Sequence, residues 1–180
     1  LTKLAEPVGR GPRGRLDSIE AWMPSTAVRT LRRLEPRNLE FVVPPVRFSD
    51  LDQLARLRLA TAVPIAANQS GWTPRDVLEI VKRGAADVIV TDAHQEGGIS
   101  GFRRVIELCE TAGLPVVYHA FTTGTIGMTA SMQVMCASPN CFHMAHPIYP
   151  PGRVTVGVVR EMPAIHTRPG RVPDKPGRDV

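Results

Sequence analysis

The two residues of this sequence best suited to proton transfer are Asp92 and His119. Asp92 follows closely on the apolar run at residues 88–90, and His119 on the run at residues 114–117. If these runs are neighbouring parallel strands, the two side chains lie near each other at the carboxyl ends of the strands. A carboxylate that accepts a hydrogen bond from histidine Nδ1–H fixes the ring tautomer and raises its basicity. His119 is therefore a candidate general base, with a purely structural His–Asp hydrogen bond as the alternative.

Further polar residues follow other apolar runs of the chain. They are Asp17, Asn68 with Gln69, and the segment 143–146, which contains two histidines. One charged residue after a strand is usually a helix cap. Several at one edge of a sheet indicate a binding site, because functional groups collect at the carboxyl ends of parallel strands.

Short β-branched runs alternate with helical patterns and must position these residues. The predicted strands cover residues 41–43, 63–66, 88–90 and 114–117, and the helical patterns cover 25–34, 51–59, 77–81, 102–109 and 125–137. Asp50 and Thr73 are typical helix amino-terminal caps, and Gly84 and Gly113 are typical carboxyl-terminal ones. Counting from residues 15–16 to 141–142 gives about six strand–helix units. They form either an open sheet or a (β/α)8 barrel without its first strands, since a complete barrel takes about 250 residues.

Two weaker motifs are interpreted as structural. The glycines in residues 9–14 have the spacing Gly-x-Gly-x-x-Gly, but no strand precedes them and Pro12 interrupts them, which predicts a loop. Cys141, His143 and His146 are zinc-ligand types, but no second Cys/His pair completes a four-ligand site.

The composition excludes several functional classes. The net charge of +5 comes from Pro/Gly-rich ends, so we expect an irregular basic segment at 1–14, a folded domain at 15–150 and a tail at 151–180. Specific nucleic-acid binding is not expected, because only 5% of the residues are aromatic. No apolar run approaches the ~20 residues that cross a bilayer.

The three cysteines, Cys109, Cys136 and Cys141, leave one thiol unpaired in any disulfide scheme. The first residues also lack the apolar core of a signal peptide. Both features predict a reducing, cytoplasmic environment. Cys109 and Cys136 lie in apolar helical patterns and are predicted to belong to the core.

Several segments, in order and spacing, resemble the carboxyl-terminal barrel domain of the enolase superfamily, especially the mandelate racemase/muconate lactonizing group. They are LDSIEAW at 16–22, LEFVVPP at 39–45, PIAANQS at 64–70, GAADVI at 84–89 with Asp92 and GGI at 97–99, VYH at 117–119, and GRVPDKPG at 170–177. The resemblance implies a partial TIM-type (β/α) barrel that corresponds to strands 3–8 of the family's barrel.

The resemblance also implies a metal. In that family, carboxylates at the ends of the third, fourth and fifth strands hold Mg²⁺, which stabilises the enediolate formed by proton removal next to a carboxylate. Asp17 matches the first ligand, Val43 stands at the second position, and Asn68 at the third. Valine has no donor atom and an amide lacks charge, so we expect Mg²⁺ binding by Asp17 and Asn68 to be weak or lost.

By the same resemblance, Asp92 and His119 match the Asp–His dyad of the mandelate racemase subgroup. Gln69 and His146 are expected to contact the substrate, His146 because it lies near Ala145, where the family has a glutamate. The implied reaction is α-proton abstraction from a small carboxylic acid, such as a hydroxy or sugar acid, leading to dehydration or epimerisation. The alternative is an inactive barrel fragment that acts as a scaffold or partner subunit. Because an incomplete barrel exposes strand edges, we also expect self-association.

Overall fold

The computed structural model describes residues 14–47, 49–119 and 124–142. Its elements are β1 (Arg15–Asp17), α1 (Pro24–Leu34), a 3₁₀ turn (Glu35–Arg37), β2 (Phe41–Val43), α2 (Leu51–Leu59), β3 (Ala66–Ala67), α3 (Pro74–Arg83), β4 (Val88–Thr91), α4 (Ile99–Thr111), β5 (Val116–Tyr118) and α5 (Thr125–Cys136). This alternation confirms the predicted α/β class built from repeated strand–helix units. The chain divides into two compact units, Leu1–Val90 and Thr91–Val180.

The strands of the first unit run parallel. Asp17 of β1 is in register with Val43 of β2, and Ala67 of β3 is in register with Ile89 of β4. A parallel bridge between Val42 and Ile65 connects β2 to the segment that leads into β3. All residues of β2, β3 and β4 are buried. Burial of this kind is what continuous apolar runs predict for parallel strands covered by helices.

Two strands begin later than the sequence predicts. The runs at 63–66 and 114–117 start near Pro64 and Pro115, whereas β3 begins at Ala66 and β5 at Val116. Proline has no N–H and cannot donate to the ladder of backbone hydrogen bonds. Strand β5 therefore starts directly after Pro115. Strand β3 starts one residue later than Pro64 alone would require, and Ile65 N donates to Asp87 Oδ2 instead.

The predicted helix caps of the first unit are confirmed. The Asp50 carboxylate accepts from Gln53 N at 2.9 Å, which caps α2. Thr73 Oγ1 accepts from Asp76 N at 3.2 Å, which caps α3. At the other end of α3, Gly84 has φ 59°, a left-handed conformation that glycine adopts without a Cβ clash.

A strained turn follows β1. Ile19 and Glu20 have φ of 42° and 55°, and Ala21 N donates to Ser18 O at 2.9 Å. Left-handed backbone is costly for residues with a Cβ and especially for a β-branched one. Glu20 N offsets part of this cost by donating to Pro44 O at 2.9 Å, which ties the turn to the chain just after β2.

The second unit packs α4 against α5. The apolar face of α4 is buried as predicted and consists of Phe102, Val105, Ile106 and Cys109. Val116 of β5 forms a parallel bridge with Cys141, where the sequence predicts the sixth strand. His119 N donates to Thr91 O at 2.9 Å, so the residue after β5 lies against the last residue of β4.

The exposure of Cys136 differs from the prediction that this residue belongs to the core. Cys136 is the last residue of α5 and its side chain is exposed. Val134 and Met135, just before it, are buried and occupy the inward side of the last helical turn. The core prediction is therefore right for Cys109 and wrong for Cys136. Among the described helices, none combines the length and apolarity needed to cross a membrane.

Candidate functional site

Asp17 ends β1 and stands beside Val43 at the end of β2. The Asp17 side chain is exposed, and its Oδ1 accepts from Ile19 N at 3.0 Å, so one carboxylate oxygen supports the strained turn. Val43 is 8% exposed and offers only methyl groups. The second predicted ligand position is therefore an apolar core residue.

Asn68 follows β3 and is 2% exposed. Its backbone carbonyl accepts from Gly71 N at 2.9 Å, which closes a tight turn after the strand. In this turn Gln69 Oε1 and Ser70 Oγ are buried and have no hydrogen-bond partner within the described ranges. These atoms form a polar group at the carboxyl end of β3 that carries no net charge.

These residues do not fit the Mg²⁺ site that the family resemblance implies. Mg²⁺ requires hard oxygen ligands, and its protein sites rely on carboxylates. The three positions supply one carboxylate, one amide and one isopropyl group. Across the residues that the structure describes, no group of three His, Cys, Asp or Glu side chains could hold a metal ion.

Asp92 and His119, the predicted dyad, both lie in the second unit. Asp92 directly follows β4 and is fully buried, while His119 directly follows β5 and is partly buried. The hydrogen bond from His119 N to Thr91 O brings the two strand ends together. The predicted bond from His119 Nδ1 to the Asp92 carboxylate is not formed among the described residues, because Nδ1 is a buried atom without a hydrogen bond there, although His119 has other contacts. Asp92 Oδ1 also accepts from Gln95 N at 2.8 Å, which is the turn-capping role that aspartate often has after a strand.

The turn that holds Asp92 contains polar residues that the sequence did not single out. Thr91 Oγ1 donates to Glu96 Oε1 at 2.6 Å, and both side chains are buried. Ala93 N donates to Ser131 Oγ of α5 at 3.1 Å. Periodicity could not reveal these roles, because a glutamate before two glycines and a serine within an apolar helix are unremarkable in sequence. The glycine pair itself forms the turn before α4, as predicted, with Gly98 as the cap.

A cavity of about 370 Å³ lies at the opposite, amino-terminal end of β3. Its lining includes Arg58, whose Nε donates to Asp87 Oδ1 at 2.6 Å. Asp87 Oδ2 in turn accepts from Ile65 N at 2.9 Å. We interpret this network as structural, since it fastens α2 and the start of β4 to the segment leading into β3.

Two thiols of the second unit, buried Cys109 and partly buried Cys141, favour their protonated form. Burial, with a smaller effect of the Glu96 charge, raises the pKa of the Cys109 thiol to about 12. Burial also raises the pKa of the Cys141 thiol to about 11. Metal ligation and nucleophilic attack require the thiolate. These raised pKa values agree with the interpretation of the motif Cys141, His143 and His146 as structural. His143 and His146 themselves lie outside the described residues.

The Cys109 shift predicts a stability that falls in alkali. In the unfolded chain a cysteine ionises near pH 8.5, whereas buried Cys109 keeps its proton, so the unfolded state is favoured as pH rises above that value. We expect this thiol to lower the free energy of unfolding by about 2 kcal/mol between about pH 8 and pH 10. Urea unfolding at both pH values measures the change.

Variants isolate this contribution from other alkaline groups. Cys109→Ala should lose about 2 kcal/mol of the alkaline decrease, because it has no proton to release. Cys136→Ser should keep the full decrease, since Cys136 is exposed. An identical alkaline decrease in Cys109→Ala and the unmodified chain would contradict the assignment.

The chain has clear similarity to known proteins. A family model described as enolase C-terminal domain-like matches residues 1–178. Hydrophobic dipeptide epimerase from Enterococcus faecalis is 33% identical over 138 residues, which are 76% of this chain and 39% of that protein. The structure of a dipeptide epimerase from the same organism, complexed with Mg and the dipeptide L-Leu-L-Tyr, has 33% sequence identity and a TM-score of 0.71, and the match covers 76% of this chain and 39% of that chain.

Two other relatives carry different names. o-Succinylbenzoate synthase from Thermobifida fusca is 37% identical over 131 residues, covering 72% of this chain and 40% of that protein. Arabinonate dehydratase from Saccharolobus solfataricus is 28% identical over 137 residues, covering 76% of this chain and 36% of that protein. The chain therefore spans about 40% or less of the length of these relatives, whose names describe three different reactions.

Proposed function

Because the chain belongs to the enolase C-terminal domain-like family, we propose that it abstracts the proton next to a substrate carboxylate, with His119 as the base. Asp92 orients His119 in this proposal. The substrate is a small carboxylic acid, and a hydroxy or sugar acid is the preferred class. The observation that carries the proposal is the placement of a buried carboxylate and a histidine after neighbouring strand ends, joined through the bond from His119 N to Thr91 O.

The chemistry needs one nitrogen of His119 to face the substrate while Asp92 supplies a negative charge for the ring. Proton removal by the neutral imidazole leaves an imidazolium, which a nearby carboxylate stabilises. In dehydration the imidazolium gives its proton to the neighbouring hydroxyl, which leaves as water. Epimerisation requires in addition a second proton donor on the opposite face of the carbon, since His119 serves one face only. The relatives include both an epimerase and a dehydratase, which supports the shared first step.

Exchange of the substrate α-proton with deuterium tests the proposal directly. The chain is incubated in D₂O with hydroxy acids, sugar acids and dipeptides, and loss of the α-proton signal is followed by NMR. Exchange in one class supports the proposal and names the substrate class. Exchange in none, from a chain that unfolds cooperatively, contradicts it.

A second candidate function is a catalytically inactive scaffold or partner subunit. Buried Val43 at a predicted ligand position favours it, because valine cannot hold the metal whose charge stabilises an enediolate in the family. Gln69 and His146 are proposed to contact the substrate only if the chain is an enzyme. The deuterium experiment separates the two candidates, since a scaffold exchanges no α-proton.

We also propose that the chain self-associates through the edge of β1. Within the described part of the first unit β1 pairs with β2 alone, and Ile19 and Met23, in the segment that follows β1, are each 73% exposed. A strand edge without a neighbour is a template for another chain, and exposed apolar side chains add to its tendency to associate. Sedimentation velocity should show dimers or larger species.

A charge-bearing variant tests this edge. Ile19→Lys combined with Met23→Lys should shift the sedimenting population toward monomer, because it replaces exposed apolar side chains near the end of β1 with charges that oppose association. Leu59→Lys combined with Leu78→Lys changes two exposed leucines on helices and should leave the distribution unchanged. A monomeric unmodified chain would overturn the proposal.

A further inference from the structure

We infer that Glu96 is a positioning residue for the Asp92–His119 pair, an assignment that rests on the proposed function. Glu96 is 6% exposed and belongs to the loop between β4 and α4. Its side chain accepts from Thr91 Oγ1 at 2.6 Å, while its backbone N donates to Asp92 O at 3.2 Å. One residue thus holds both Thr91 and Asp92 at the carboxyl end of β4.

Thr91 transmits this restraint to the base. Its side chain is held by Glu96, and its backbone carbonyl accepts from His119 N at 2.9 Å. Glu96 therefore contacts the residue before Asp92 and, through Thr91, the backbone of His119. A short hydrogen bond between two buried side chains is the type of contact that restrains the position of a neighbouring catalytic residue.

Further contacts of the loop between β4 and α4 hold Glu96 in its position. Gly98 N donates to Ala93 O at 2.7 Å, and Ala93 N is held by Ser131 Oγ. A Cβ on Gly101 would collide with the Glu96 carbonyl oxygen, so α4 packs directly against the backbone of this residue. Glu96 is consequently held at its backbone and can restrain Thr91 through its side chain.

The test measures hydrogen exchange of the His119 backbone amide by NMR in the full chain, with Val105 of the α4 core as internal reference. Glu96→Ala and Thr91→Val each remove the side-chain bond. Each should increase the His119 exchange rate, relative to Val105, by about 10-fold or more, because the local opening that exposes this amide becomes easier. Glu96→Gln keeps an oxygen acceptor and should stay within about 3-fold of the unmodified chain. Glu107→Gln makes the same change at an exposed site on α4 and should have no effect.

Substrate deuterium exchange, measured on the same variants, separates this inference from the proposed function. If the unmodified chain exchanges an α-proton, Glu96→Ala should slow that exchange and Glu96→Gln should restore it. If no acid exchanges, the proposed function fails, and with it the assignment of Glu96 to a catalytic pair. Restraint of His119 by Glu96 is overturned separately, if the His119 rate is unchanged in Glu96→Ala and Thr91→Val or if it rises only in parallel with Val105.

Discussion

Replacing Val43 with glutamate and Asn68 with aspartate should raise the Mg²⁺ affinity of the chain by at least about 100-fold. Asp17 and Val43 are in direct register across β1 and β2, so the new carboxylate would stand beside an existing one. Each substitution supplies a charged oxygen where the chain has a methyl group or a neutral amide, and Mg²⁺ depends on such ligands. Groups that merely support a metal ligand are worth 10- to 100-fold in affinity, so about 100-fold is a lower bound for the ligands themselves.

Calorimetric titration with Mg²⁺ measures the change, and thermal unfolding gives a second readout. At a Mg²⁺ concentration about 100 times the dissociation constant, binding stabilises the folded state by about 2.7 kcal/mol. The unmodified chain should gain almost nothing at the same concentration. A strong response of the unmodified chain to Mg²⁺ would show that Asp17, Val43 and Asn68 are not the relevant positions.

Two controls separate ligation from added charge. Leu59→Glu with Ala62→Asp introduces two carboxylates at exposed positions near the amino-terminal end of β3 and should not create a site. Adding Asp17→Asn to the Val43→Glu, Asn68→Asp chain should remove most of the gained affinity. Because Val43 is buried, a glutamate there destabilises the fold in the absence of metal, and Asn68→Asp alone serves as the milder test.

The arrangement of strands and helices was predictable because each element has a local cause. The apolar run at Phe41–Val43 became β2 with those exact bounds, and Asp50 and Thr73 cap the helices they precede. The prolines displaced two strand starts, an effect that is visible in sequence once the missing N–H groups are counted. Local chemistry therefore accounts for the elements and most of their ends.

The candidate site was only partly predictable. Asp92 and His119 could be placed at strand ends because each follows an apolar run. The bond between Thr91 and Glu96 depends on how the loop of residues 92–98 folds back, and no periodic pattern encodes that path. The exposure of Cys136 likewise depends on where α5 ends against its neighbours. Contacts set by loop paths and helix ends require the three-dimensional arrangement.

Replacing His119 with glutamine should lower the rate of substrate α-proton exchange by at least about 100-fold, because general-base catalysis contributes 100- to 10,000-fold. Glutamine keeps the polarity and approximate size of the side chain but cannot accept the proton. Asp92→Asn should slow exchange less, since the base remains but loses its negative neighbour. His94→Gln is the matched control, because His94 is an exposed histidine in the loop between β4 and α4, and this variant should retain full exchange. Equal exchange by His119→Gln and the unmodified chain would exclude His119 as the base, because no other change in that variant could compensate for a lost proton acceptor.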